Sequence, residues 1–155
     1  MEMDSKEIQP ITSAIRHDLG DDDKYAPRLG VAIASVLTDT QRQALKEAHV
    51  SGQPRLLAWS TGDERDVLLR PDNGVLVHAA VRADEVAVTV RRLEDVRSFG
   101  ASNFSAPATN GLRDLTWQVA GWSVTLSDGT TLMASTVNDS AHLDRAREFM
   151  TSLLS

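Results

Sequence analysis

The spacing of the hydrophobic residues changes near residue 54, from a helical period to an alternating one. In the first segment, apolar side chains recur every three or four positions, as on one face of a helix: Ile8, Ile11, Ile15 and Leu19. Proline fits best in the first turn of a helix, because its missing N–H is not needed there. We therefore expect a helix that begins near Gln9, carries Pro10 in its first turn and ends at Gly20.

A second apolar stretch, residues 28–37, follows Pro27. Its hydrophobic residues lie on most sides of a helix, which predicts a buried helix that docks on the rest of the protein or on a neighbouring subunit. Because Val31, Ile33 and Val36 are β-branched, a strand is the alternative.

A third helix is predicted by Thr38 and Gln41, which have the Thr-x-x-Gln spacing of a capping box. This helix is expected to run to about His49, and the turn-forming residues 51–54 end it. The break predicts two parts of the chain, a helical N-terminal segment over residues 1–52 and a β domain over residues 53–155.

The β domain is predicted from short alternating segments between turn residues: 55–60, 66–70, 75–81, 86–92 and 95–103. The Asn73-Gly74 pair predicts a hairpin with positive φ. Residues 115–119 and 122–126 alternate out of phase, which indicates either a bulge or a tight turn at Ala120-Gly121. A return strand from residue 130 gives about seven strands, and an amphipathic helix over residues 138–154 follows them.

The composition excludes several classes of protein. The 155 residues contain no cysteine, so disulfides, thiolate chemistry and cysteine-ligated zinc are excluded. The net charge of −6 argues against a nucleic-acid partner, which needs a positive field. No apolar run approaches the roughly 20 residues of a membrane helix. We expect a cytoplasmic protein that is not an integral membrane protein.

Three segments resemble bacterial pleckstrin-homology-like (PH-like) domains: the basic–leucine–acid–acid–valine stretch 91–98, the last hairpin 122–132 and the closing helix 146–154. The resemblance implies an α+β fold, in which N-terminal helices precede an antiparallel seven-stranded PH-like sandwich or barrel capped by a C-terminal helix. It also implies a non-catalytic binding or self-assembly module with a protein partner or a homo-oligomeric state. Phosphoinositide binding is not expected, because the turn 62–66 carries three acids and one base.

Catalytic and metal-binding motifs are missing from the sequence. The four histidines (His17, His49, His78 and His142) are too far apart for a helical metal pair, and we interpret them as surface or edge residues. The acids at 18 and 21–23 lack the spacing of a calcium loop and predict a solvated connector. We therefore predict no catalytic residues, no metal and no cofactor. A carrier of a small apolar ligand or lipid, and an enzyme with no recognisable motif, are the alternatives.

Two sets of residues are candidates for a binding site. Arg82, Arg91 and Arg97 belong to a local excess of positive charge, which binds an anion or an acidic partner if the three converge. The alternative is a solvated sheet face on which neighbouring acids balance them. Trp117 and Trp122 are candidate contact residues if one of them is exposed, and core packing is the alternative for both.

Overall fold

The computed structural model describes residues 5–52, 55–105, 118–134, 144–149 and 151. The chain divides into two compact units, Met1–Glu94 and Asp95–Ser155. This division lies beyond the boundary predicted at residue 52, because the N-terminal helices share one hydrophobic core with the strands that follow them.

The first helix, α1 (Ser5–Leu19), carries the predicted apolar stripe, and Ile11 and Ile15 are buried in the core. Its predicted start was wrong. Pro10 lies inside the helix and not in its first turn, so the bond that residue 10 would donate to the carbonyl of Lys6 is lost. Packing of the apolar stripe offsets that loss.

The second apolar stretch forms a helix, α2 (Ala26–Ser35), with Pro27 in its first turn. The strand alternative is therefore wrong. Leu29 and Ile33 are fully buried, and α2 packs on strands of the same unit. Gly30 permits close approach to α1, since a Cβ there would lie 2.3 Å from the Thr12 hydroxyl oxygen.

The third helix, α3 (Asp39–Ser51), begins with the predicted capping box. The backbone N–H of Gln41 donates to the Thr38 hydroxyl at 3.1 Å, and the Thr38 N–H donates to the Gln41 side chain at 2.9 Å. Gly52, with a φ of 76°, ends the helix in the left-handed conformation that favours glycine.

Four strands follow in the first unit: β1 (Leu56–Thr61), β2 (Glu64–Leu69), β3 (Val75–Arg82) and β4 (Glu85–Arg92). They form an antiparallel sheet in chain order, so β1 and β4 are its edges. One face packs against the helices through the directly paired row Ala58, Val67, Ala79 and Val88. On the other face, Leu57, Leu68 and Leu76 are fully buried as well.

Positive φ does not occur at the hairpin for which it was predicted. Asn73 and Gly74 do not adopt it, and the Asp72 carboxylate accepts the Gly74 N–H at 2.8 Å in the connection between β2 and β3. Instead Ala83 and Asp84, between β3 and β4, have φ of 50° and 67°. Neither is glycine, so this turn is strained.

The second unit contains β5 (Val96–Ser105), β6 (Gln118–Leu126) and β7 (Thr131–Ala134), which form an antiparallel sheet in chain order. A 3₁₀ turn, Leu93–Asp95, precedes β5. Residues 144–149 are helical. The α+β class and the seven antiparallel strands are thus confirmed for the described residues, as two sheets of four and three strands.

The predicted irregularity at Ala120-Gly121 is wrong. β6 is continuous through both residues, and its register with β5 stays regular there, with Gly121 opposite Ser102 and Trp122 opposite Ala101. The register shifts instead between Val96 and Ser98 of β5. Residues 115–117 lie outside the described residues, as does most of the predicted C-terminal helix.

Candidate functional site

A buried carboxylate lies on the hairpin of β2 and β3. Asp66 is 5% exposed and stands opposite Ala80, so residues 78 and 82 of β3 are its diagonal neighbours on the same face of the sheet. Nε2 of His78 lies 2.9 Å from Oδ1 of Asp66, and Nη2 of Arg82 donates to the same oxygen at 2.8 Å. Strand register alone therefore brings these three side chains together.

The Asp66 cluster, defined as Asp66, His78 and Arg82, is bound to its own hairpin. Arg82 also donates to the carbonyls of Arg65 and Val81, each at 3.0 Å, and lies 3.5 Å from Glu64. A carboxylate and an imidazole are components of acid–base catalysis, but here one carboxylate oxygen is shared with a guanidinium that is already bound to the hairpin. The arrangement satisfies a buried charge within one hairpin.

A second polar cluster holds the strained turn between β3 and β4. The Tyr25 hydroxyl donates to the Asp84 carboxylate at 2.7 Å, and Nη2 of Arg28 donates to the Asp84 carbonyl at 2.9 Å. Both donors come from the start of α2. The helix therefore fixes Asp84 in its left-handed conformation, and the same contacts offset the cost of the turn.

The guanidinium of Arg65 is also bound inside the first unit. Its Nε donates to Asp23 at 2.8 Å, and its Cζ lies 5.3 Å from the centre of the Tyr25 ring. Asp23 lies in the predicted solvated connector, yet its side chain is only 5% exposed. That connector therefore contains at least one structural carboxylate.

The candidate arginines do not share a site within the first unit. Arg82 ends β3 at the turn, whereas Arg91 stands opposite Leu76 near the other end of β4. Six residues of β4, about 20 Å, separate Arg91 from the position opposite Arg82. Arg97 is exposed on β5 of the second unit. Strand register therefore holds Arg82 and Arg91 apart, and this pair does not meet the condition of convergence on which a shared anion site depends.

The tryptophans fit the core interpretation where they are described. Trp122 is fully buried, in a row on β6 with Val124 and Leu126. Its indole therefore contributes to packing and not to an exposed contact surface. Trp117 lies outside the described residues.

Of the two edge strands of the first sheet, β4 has the more exposed residues. In the described part of the chain, β4 pairs with β3 alone. Val90 is 51% exposed, and Thr89 is exposed beside it. β4 is an eight-residue strand, which is long enough for another strand to pair along it.

The ladder between β3 and β4 shows which backbone groups point outward. The Leu93 N–H donates to the Gly74 carbonyl at 3.0 Å, which extends the ladder by one hydrogen-bonded pair. Because such pairs alternate along antiparallel strands, residues 85, 87, 89 and 91 bond to β3. The N–H and C=O groups of Val86, Val88 and Val90 therefore lie in the plane of the sheet and point away from β3, on the unpaired side of β4. We call this set of outward groups the β4 edge.

Two further properties concern metals and membranes. No group of three His, Asp or Glu side chains is placed to hold a metal ion within the described ranges. Among the helices that the structure describes, none is long and apolar enough to cross a membrane.

Comparison of the chain with protein-family models, with curated proteins and with solved structures gave no match.

Proposed function

We propose that the chain is a non-catalytic binding module that accepts an extended segment of a protein partner along the β4 edge. The observation that carries the proposal is the outward direction of the Val86, Val88 and Val90 backbone groups on an exposed edge strand. An added strand gains main-chain hydrogen bonds there, and pockets beside alternate side chains give it specificity.

The polar clusters support a binding role over a catalytic one. His78, the histidine in the Asp66 cluster, is held by a carboxylate that Arg82 shares. Tyr25 and Arg28 are engaged by the turn at Asp84. These charges stabilise local structure, whereas the β4 edge offers donors and acceptors that a partner can use.

We further propose that the module is PH-like and cytoplasmic. Supporting the fold relationship, four antiparallel strands are followed by three more and then by helical residues 144–149. The contacts of the turn between β1 and β2 argue against a lipid phosphate as its ligand, since its single base, Arg65, already binds Asp23 and donates to the Gly62 carbonyl.

A proline at position 88 tests the mode of binding. Val88→Pro removes an outward N–H that β3 does not use, so the fold should persist while strand addition is blocked. Val88→Thr is the matched control, because it keeps the N–H and the β-branched shape. The full-length protein, immobilised at low density, is used to select binders from a phage-displayed library of linear peptides.

We expect the selected peptides to alternate β-branched and polar residues, and to bind the wild type and Val88→Thr but not Val88→Pro. Circular dichroism verifies that both variants are folded. Peptides that bind all three proteins equally, or a selection without binders, would contradict strand addition at the β4 edge.

A further inference from the structure

We infer that the partner at the β4 edge is a second copy of this chain, paired antiparallel about a two-fold axis through Val88. This inference rests on the proposed function and names its partner. The resulting assembly joins the four strands of each protomer into one continuous sheet.

Strand geometry limits how two β4 edges can pair. Outward backbone groups belong to the even-numbered residues, so hydrogen-bonded pairs must join even residues to even residues. A two-fold axis perpendicular to the sheet also keeps the helix-covered faces of both protomers on one side. Only registers that meet both conditions are allowed.

In the register centred on Val88, the apolar side chains of one β4 strand lie opposite the apolar side chains of the other. It places Val86 of one protomer opposite Val90 of the other, and the two Val88 residues opposite each other. All three valines lie on the helix-covered face, in line with the paired β3 residues Val77, Ala79 and Val81. The half-exposed Val90 would thereby gain an apolar neighbour.

Charge favours the same register. On the opposite face it places Glu85 of one protomer against Arg91 of the other, twice by symmetry. The two neighbouring registers lack this match. With Thr89 on the axis, Val86 lies opposite Arg92 and Glu85 opposite Leu93. With Ala87 on the axis, Glu85 lies opposite Thr89 and Arg91 opposite Ala83. Opposite charges directly across a ladder stabilise a strand pair, whereas a charge opposite an apolar residue does not. The acidic start and basic end of β4 therefore select the Val88 register.

Sedimentation velocity and native mass spectrometry of the full chain, at up to about 1 mM, test the inference. The wild type and Val88→Thr should form dimers, and Val88→Pro should be monomeric at every concentration. Glu85→Arg and Arg91→Glu should each weaken the dimer about tenfold or more, because each places like charges opposite one another twice.

Complementation gives the sharpest readout. In an equimolar mixture of the Glu85→Arg and Arg91→Glu proteins, each arginine of the first meets a glutamate of the second at both symmetric positions. The mixture should therefore form a one-to-one heterodimer, and the double variant Glu85→Arg/Arg91→Glu should recover the homodimer. A purely structural role for either residue would not produce this rescue.

The outcomes separate this inference from the proposed function. A monomeric wild type that still binds peptides lost in Val88→Pro would overturn the second copy as partner and leave strand addition standing. A dimer that persists in Val88→Pro would overturn the proposed pairing. So would a dimer whose affinity is unchanged in both Glu85→Arg and Arg91→Glu. A monomer without proline-sensitive peptides would overturn the inference and the proposed function together.

Discussion

The two edges of the first sheet differ in how their outward backbone groups are satisfied. At the β1 edge, the Asp18 carboxylate of α1 accepts the Ala58 N–H at 2.9 Å, and Ala58 is fully buried. At the β4 edge, the outward groups of Val86, Val88 and Val90 lie on a strand whose residues are all half-buried or exposed. A side-chain acceptor and a covering helix close one edge, and the other retains the backbone groups that pair with a strand.

The exposed edge is nevertheless held in a defined position. β4 begins directly after the turn at Ala83 and Asp84, which Tyr25 and Arg28 of the first unit hold by hydrogen bonds. A strand whose starting turn is fixed in this way cannot slip by a residue, so its side chains stay on their own faces. The exposure of β4 therefore accompanies a specified register, as recognition of a strand requires.

The largest loss of stability should come from a substitution in the hairpin of β2 and β3, which lies between the two edges. Asp66→Ala removes the carboxylate that His78 and Arg82 share. The largely buried His78 ring then loses its side-chain partner, and Arg82 keeps only the carbonyls of Arg65 and Val81 and its ion pair with Glu64. We expect the free energy of unfolding to fall by about 2–4 kcal/mol. Urea denaturation measures the loss. Asp63→Ala, in the exposed turn before β2, is the control, and equal losses in the two variants would contradict a specific role for Asp66.

The next effect concerns the closed edge alone. Asp18→Ala removes the acceptor for the Ala58 N–H, and we expect a loss of about 1–2 kcal/mol in unfolding free energy. The exchange rate of the Ala58 amide hydrogen should rise by a larger factor than those of β4 amides. Asp21→Ala, in the exposed connector, is the control. Unchanged exchange at Ala58 would mean that α1 closes this edge without the carboxylate.

Local patterns predicted much of the fold. The period of Ile8 to Leu19 and the capping box at Thr38 and Gln41 depend on residues three or four positions apart, so sequence spacing reports them directly. The position of Pro10 in the helix was predicted wrongly, because the rule that proline belongs in the first turn considers only the lost hydrogen bond. Packing of the apolar stripe against the core offsets that loss.

The two polar clusters join residues that are far apart in the sequence, and the sequence patterns did not predict them. His78 and Asp66 are 12 positions apart, and Tyr25 and Asp84 are 59 apart. The register of β2 and β3 explains the first pair, so a correct alignment of the two predicted strands would have revealed it. Nothing local marks Ala83 as a residue with positive φ, because the contacts that hold the turn come from α2. Asn73-Gly74 was the stronger local signal, and the Asp72 carboxylate determines that connection instead.

A smaller effect, of opposite sign, is expected at the turn that begins β4. Ala83→Gly relieves left-handed strain of about 1–2 kcal/mol. It also adds about 0.4–1 kcal/mol of chain entropy to the unfolded state. The balance predicts a net stabilisation of about 0.5 kcal/mol in urea denaturation. Ala87→Gly, on the extended part of β4, should destabilise instead, and a loss of stability in both variants would argue against strain at Ala83.

The smallest effect should appear at low pH in the connection between β2 and β3. The hydrogen bond from the Gln41 side chain, helped by the Gly74 N–H, holds the pKa of Asp72 below the usual value of an aspartate carboxyl. A carboxyl whose pKa is lowered by folding stabilises the protein above its unfolded pKa, and this contribution disappears as the pH falls through the folded pKa. NMR titration should therefore place the Asp72 midpoint below the usual aspartate value in the wild type and closer to that value in Gln41→Ala. Gln43→Ala, on the same helix but bonded to Glu47, should leave the midpoint unchanged. Equal shifts in the two variants would assign the effect to α3 as a whole. No shift in Gln41→Ala would leave the N–H groups of Gly74 and Val75 and the charge of Arg55 as its sources.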